Sequence, residues 1–172
     1  IGDMASYIGE FINLKNDRIV SKSFDNRANV YVLMKTLMKI EKSYNDIYCV
    51  FTVQEELGLR GAKVVSERIQ PDIGVVLDIT NSFDIPSKKE GNSCMGKGAA
   101  IKMLDNSVVC DAQLIQIMIA LAEENDIPYQ LDVEALGGTD GGAINTSYQG
   151  VRTAGLSIPT RYIHTPTSVV DM

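Results

Sequence analysis

Two adjacent carboxylates, Glu55 and Glu56, follow directly on the apolar run Ile47-Tyr48-Cys49-Val50-Phe51-Thr52-Val53 and precede the tight Leu57-Gly58-Leu59-Arg60-Gly61-Ala62. The run predicts a buried strand, and strand ends are where open α/β sheets gather ligands. A carboxylate pair at such an edge is costly to desolvate unless a cation compensates it. The junction therefore points to a metal site with an attached general base. Neighbours on an extended strand face opposite sides, so one glutamate serves as base and the other as ligand.

Three more residues of suitable chemistry fall at element boundaries: Asp25 ahead of a predicted helix, Asp78 after the apolar Ile73–Leu77, and His164, the only histidine. Carboxylates with one imidazole suit a divalent transition metal, and several carboxylates suit two sharing a bridging ligand. Each residue alone has a plainer role. A Glu-Glu pair is most often a solvated face, Asp25 a helix cap, Asp78 a turn residue and a lone histidine structural. Four acidic positions at element edges call for a common explanation, which topology supplies if neighbouring strand ends converge.

The elements that must position these groups are partly readable. Tyr7–Phe11 and Arg18–Val20 predict short strands. Val30, Leu33, Met34, Leu37 and Met38 recur at helical spacing, with Asp25 or Asn26 as the cap. Gly61 to Ile69 predicts a helix ended by Pro71, and Ile73–Leu77 a strand that delivers Asp78 at its end. Ile79 to Gly98 reads as a long irregular stretch. Ala99–Met103 predicts a strand, Asp111 caps a helix through Leu121, and Tyr129–Ala135 predicts another strand. The glycine-rich Leu136–Ala143 leads to a short helix and a strand at Val151–Ile158, and Thr167–Met172 reads as the start of a helix. Alternating strands and helices predict an α/β fold, a mostly parallel mixed sheet flanked by helices in a three-layer sandwich.

Composition narrows the partners. With 172 residues, 45% hydrophobic and 22% charged, the chain can build one real core. A net charge of −6 leaves no basic stripe for phosphate and argues against nucleic acid. No apolar run is long enough to cross a membrane. Cys49, Cys94 and Cys110 have no metal-finger or disulfide spacing, which fits a reducing, cytoplasmic setting.

Several segments resemble signatures of the glutamyl/deblocking aminopeptidase family, the cytosolic metallo-aminopeptidases that assemble as tetrahedral dodecamers. They are Phe24-Asp25-Asn26-Arg27, Phe51 through Ala62, Gly96-Lys97-Gly98, Ile127-Pro128-Tyr129-Gln130, Gly137-Gly138-Thr139-Asp140 and Ile158 through Pro166. They stand in the family's order and span nearly the whole chain. The resemblance implies that Asp25 bridges two metals, Glu55 is the general base, and Glu56, Asp78 and His164 are ligands. It implies zinc or cobalt as the metal, short peptides as substrates and a homo-oligomer as the assembly. The glycine-rich loop is expected to lie near the substrate end without a catalytic role. The family's histidine ligand from an H-x-D segment has no counterpart here. Residues 1–24 resemble only the tail of an inserted dimerisation domain, and residues 25–172 a catalytic domain incomplete at both ends, so this polypeptide alone is expected to be inactive.

The activity expected is removal of N-terminal residues from peptides. Alternatives are a related di-metal carboxypeptidase or acylase, and a truncated non-catalytic interaction module. A glycosidase fits poorly, because its two carboxyl groups must face each other across a sugar. The identity of the preferred N-terminal residue is not readable.

Overall fold

Continuous apolar runs supply the strands of the main sheet, in a computed structural model that describes residues 2–86 and 91–172. Short strands β1 (Ile12–Asn13) and β2 (Arg18–Ser21) come first, then helix α1 (Phe24–Lys39) and helix α2 (Arg60–Ile69). Strands β3 (Ile73–Asn81) and β4 (Ala99–Asp105) lead to helix α3 (Ala112–Glu124) and strand β5 (Tyr129–Glu134). A short helix α4 (Asp140–Asn145), strand β6 (Arg152–Thr160) and strand β7 (Ser168–Asp171) complete the order.

The main sheet is four-stranded and runs β3-β6-β4-β5. β3 and β6 are parallel, as are β4 and β5, while β4 meets β6 antiparallel. The fold is thus α/β with a mixed, mostly parallel sheet and accompanying helices. The core lies between β4, β6 and α3, where Ile101, Val108, Cys110 and Ile115 pack with Met118 and Leu156. Asp111 caps α3 as expected, its carboxylate accepting from the Gln113 and Leu114 amides. Lys102 and Asp132 form a fully buried ion pair at 2.7 Å across β4 and β5. Ser93 Oγ donates to the same carboxylate.

Four expectations fail, each for want of a long-range term. Residues 47–53 form no strand. Strands exist only as hydrogen-bonded ladders, and among the described residues none pairs with this segment, so Ile47, Tyr48, Phe51 and Val53 lie exposed. Tyr7–Phe11 is likewise unpaired, and the strand falls at β1 instead. Thr167–Met172 is not a helix start. β7 pairs antiparallel with β2 to make a three-stranded sheet with β1, burying Val169 and Val170. Finally, β3 runs on to Asn81, so Asp78 sits inside the strand opposite Ser157 rather than at its end. The irregular stretch begins at Ser82, and its residues 87–90 lie outside the described residues.

Candidate metal centre

Asp25 does not cap α1. It takes φ −78° and ψ 105°, non-helical values, while Ser23, the left-handed residue just ahead of the helix, makes no side-chain cap. Its neighbour Asn26 anchors this turn to the sheet. The Asn26 amide donates to the Leu77 carbonyl at 2.9 Å and to Asp78 Oδ1 at 3.1 Å, and Asn29 steadies Asn26 Oδ1 at 2.7 Å.

Glu55 and Glu56 stand on the unpaired segment leading into α2. The Glu55 carbonyl accepts from the Gly58 and Leu59 amides, and the Val53 carbonyl from Gly61 N. Gly61 is required for that approach, since a Cβ there would lie 2.6 Å from the Val53 carbonyl oxygen.

His164 sits in the loop between β6 and β7. The loop is closed by the Arg161–Val169 backbone pair and by Ser168 Oγ donating to the Tyr162 carbonyl. Arg161 grips Asp84 with two bonds, at 2.8 and 2.7 Å, and holds the Asp84 carboxyl below its ordinary pKa. Ser23, Gln54, Tyr162 and His164 all take positive φ, at 62°, 60°, 57° and 61°. Such conformations are uncommon for these residue types and concentrate where geometry is imposed.

These three segments converge. His164 Nε2 lies 3.0 Å from Asp25 Oδ2 and 3.1 Å from Glu56 Oε1. One donor atom from each of the three residues falls within 4.8 Å of the others, a spacing that fits a shared divalent cation. Asp78 is outside that trio but within its electrostatic reach. Burial pushes its pKa to about 8, against the Ile79 amide that it accepts from, and the charges of Asp25, Glu55 and Asp140 add to the rise. Burial and Glu56 push Asp25 to about 6, while His164 opposes. Glu55 rises to about 7 through burial, then through Asp140, Glu56 and Asp25. Carboxylates crowded in this way resist ionisation together, and a bound cation is what would relieve them.

Sequence reasoning did not single out Asn26 as an anchor, nor the link between Thr52 and Asp140. Thr52 Oγ1 donates to Asp140 Oδ2 at 2.6 Å across 88 positions. The motif Gly137-Gly138-Thr139-Asp140 was the available signal, but nothing local in it names Thr52 as partner. Asp25, Glu56 and His164 themselves line an open cleft of about 380 Å³, together with Tyr7, Lys22 and Pro166.

The profile of the M42 glutamyl aminopeptidase family matches residues 1–172. The chain belongs to that family. The family is one of metallopeptidases, in keeping with the Asp25–Glu56–His164 trio. The chain is 40% identical over its full length to a putative aminopeptidase of Acetivibrio thermocellus, of which it covers 52%. Aminopeptidase APDkam598 from the archaeon Desulfurococcus kamchatkensis superposes with a TM-score of 0.91 at 41% identity, over 95% of this chain and 47% of that one. The Pyrococcus horikoshii TET1 peptidase, which can assemble into a tetrahedron or a large octahedral shell, superposes at 0.74 with 26% identity, over 94% of this chain and 48% of its own. The chain spans about half the length of the curated relatives it matches. Among the described residues no helix is long and apolar enough to cross a membrane.

Proposed function

We propose that this M42 chain carries the catalytic site of a metal-dependent aminopeptidase, with Asp25, Glu56, Asp78 and His164 as ligands of two divalent cations, zinc or cobalt, and Glu55 as general base. The observation that carries the reading is the convergence of Asp25, Glu56 and His164 from three distant segments, with Glu55 beside them. Asp25, which interacts with Glu56 and whose charge also acts on Asp78, is the residue suited to bridging. When bound, the cations supply Lewis acidity and an acidified water.

Glu55 is half-buried among other carboxylates, and its pKa near 7 lets it accept a proton and return it to a leaving amine at neutral pH. The cleft lined by the trio has room for the N-terminal residues of a short peptide. In this reading the helices cover both faces of the sheet in a three-layer sandwich. Residues 1–24 belong to an inserted domain's tail, residues 25–172 to the catalytic domain, and the whole protein is a homo-oligomer. Free thiols at Cys49, Cys94 and Cys110 support a reducing, cytoplasmic setting.

The test is a panel of aminoacyl-anilides presented to the full-length protein with and without added cobalt or zinc, beside a calorimetric titration of each cation. Cation-dependent release from free but not blocked N-termini supports the reading. No cation bound, or activity unchanged in Glu55→Gln, overturns it.

A further inference from the structure

Residues 47–56 pose a mechanical question, because among the described residues no strand ladder holds the segment that carries Glu55 and Glu56. Its backbone bonds are local: Val53 to Gly61, Gln54 to Arg60, Glu55 to Gly58 and Leu59. Beyond these bonds to the first residues of α2 and Glu56's contact with His164 inside the site, the side-chain bond that ties the segment to the glycine-rich loop, among the described residues, is Thr52 to Asp140.

Asp140 is a rigid anchor. It is 8% exposed at the start of α4. Its neighbour Thr139, the α4 N-cap, donates to Asp105 Oδ2 at 2.8 Å. Asp105 Oδ1 in turn accepts from the Ser107 and Val108 amides at 2.7 and 3.0 Å. The chain of bonds therefore runs from Thr52 through the glycine-rich loop into β4. The other oxygen of Asp140, Oδ1, is buried with no hydrogen-bond partner among the described residues, where the carboxylate accepts from Thr52.

We infer that Asp140 is a positioning residue: it holds Thr52 and so fixes where Glu55 stands against the Asp25–Glu56–His164 trio. The inference rests on the aminopeptidase reading only for its kinetic consequence. Removal of the tether leaves Asp25, Asp78 and His164 in place but lets the segment that carries Glu55 and Glu56 drift. Displacement of a reacting group by about 1 Å can cost on the order of a hundredfold in rate.

The experiment compares full-length wild type with Thr52→Val, Thr52→Ser, Asp140→Ala and Asp140→Asn in the same full-length protein, each loaded with cobalt. Thr52→Val and Asp140→Ala are expected to lower kcat about 10–100-fold with KM within about twofold. Their double variant loses no more than the worse single, since both cut one link. Thr52→Ser and Asp140→Asn, which retain donor and acceptor, recover most of kcat. In the metal-free protein, exchange of the Arg60 and Gly61 amides speeds about tenfold or more in Thr52→Val.

Unchanged kcat and unchanged exchange in Thr52→Val overturn the inference. So does a loss confined to the Asp140 variants, which would mean that Asp140 acts by another route. If Asp140→Ala does not fold, Thr52→Val carries the test, being isosteric. A wild type that hydrolyses no anilide sinks the aminopeptidase reading, and the exchange comparison then decides by itself whether the tether fixes the segment.

Discussion

Replacing Asp78 by asparagine should flatten the pH dependence of stability in the metal-free protein. Asp78 is 8% exposed, and burial with nearby Asp25, Glu55 and Asp140 raises its pKa from 3.8 to about 8. Because the folded-state value lies above the ordinary one, the folded chain keeps a proton that the unfolded chain releases. Stability from this group is therefore full below pH about 4 and is lost as pH rises to about 8. Between 3.8 and pH 7, at about 1.4 kcal/mol for each pH unit, the suppressed ionisation amounts to about 4 kcal/mol, an upper bound because Asp25 and Glu55 ionise over the same range. For a chain of this size that corresponds to a fall in Tm of about 10 °C. The assay is thermal unfolding in chelator at pH 4, 5, 6, 7 and 8. Wild type should lose stability steadily, Asp78→Asn should lose markedly less, and zinc should shrink the wild-type slope by favouring the ionised carboxylates. Parallel slopes for wild type and Asp78→Asn, without metal, would refute the reasoning.

Glu55→Gln should lower kcat about 10²–10⁴-fold, the range for losing a general base, while zinc affinity by calorimetry stays within about threefold. His164→Ala should weaken zinc binding at least about tenfold and leave the metal-free Tm nearly unmoved, because the side chain is 63% exposed. Lys102→Ala should cost about 3–5 kcal/mol in urea unfolding by stranding the buried Asp132 carboxylate. The double change Lys102→Met with Asp132→Leu should recover most of that loss, and failure to recover would mean that the pair does more than neutralise itself.

Local chemistry was enough for much of this molecule. Helical spacing and the Asp111 cap placed α3, and β-rich runs placed β4, β5 and β6 within a residue or two. Residue type and boundary position singled out Asp25, Glu56 and His164, and the fold brings those three into one cluster. What depended on distant partners was not legible. An apolar run such as Ile47–Val53 states that a segment prefers extended backbone and burial, but a ladder needs a second strand, which no local pattern supplies. The same term turns Ser168–Asp171 into a strand because β2 is there to receive it. It also carries β3 past Asp78, because β6 continues beside it. Thr52 and Asp140 meet only because α4 packs where the Glu55 segment passes. Sequence determined which groups could do the chemistry; the tertiary structure decided their distances, because contacts across many residues are set by packing and pairing that no local window contains.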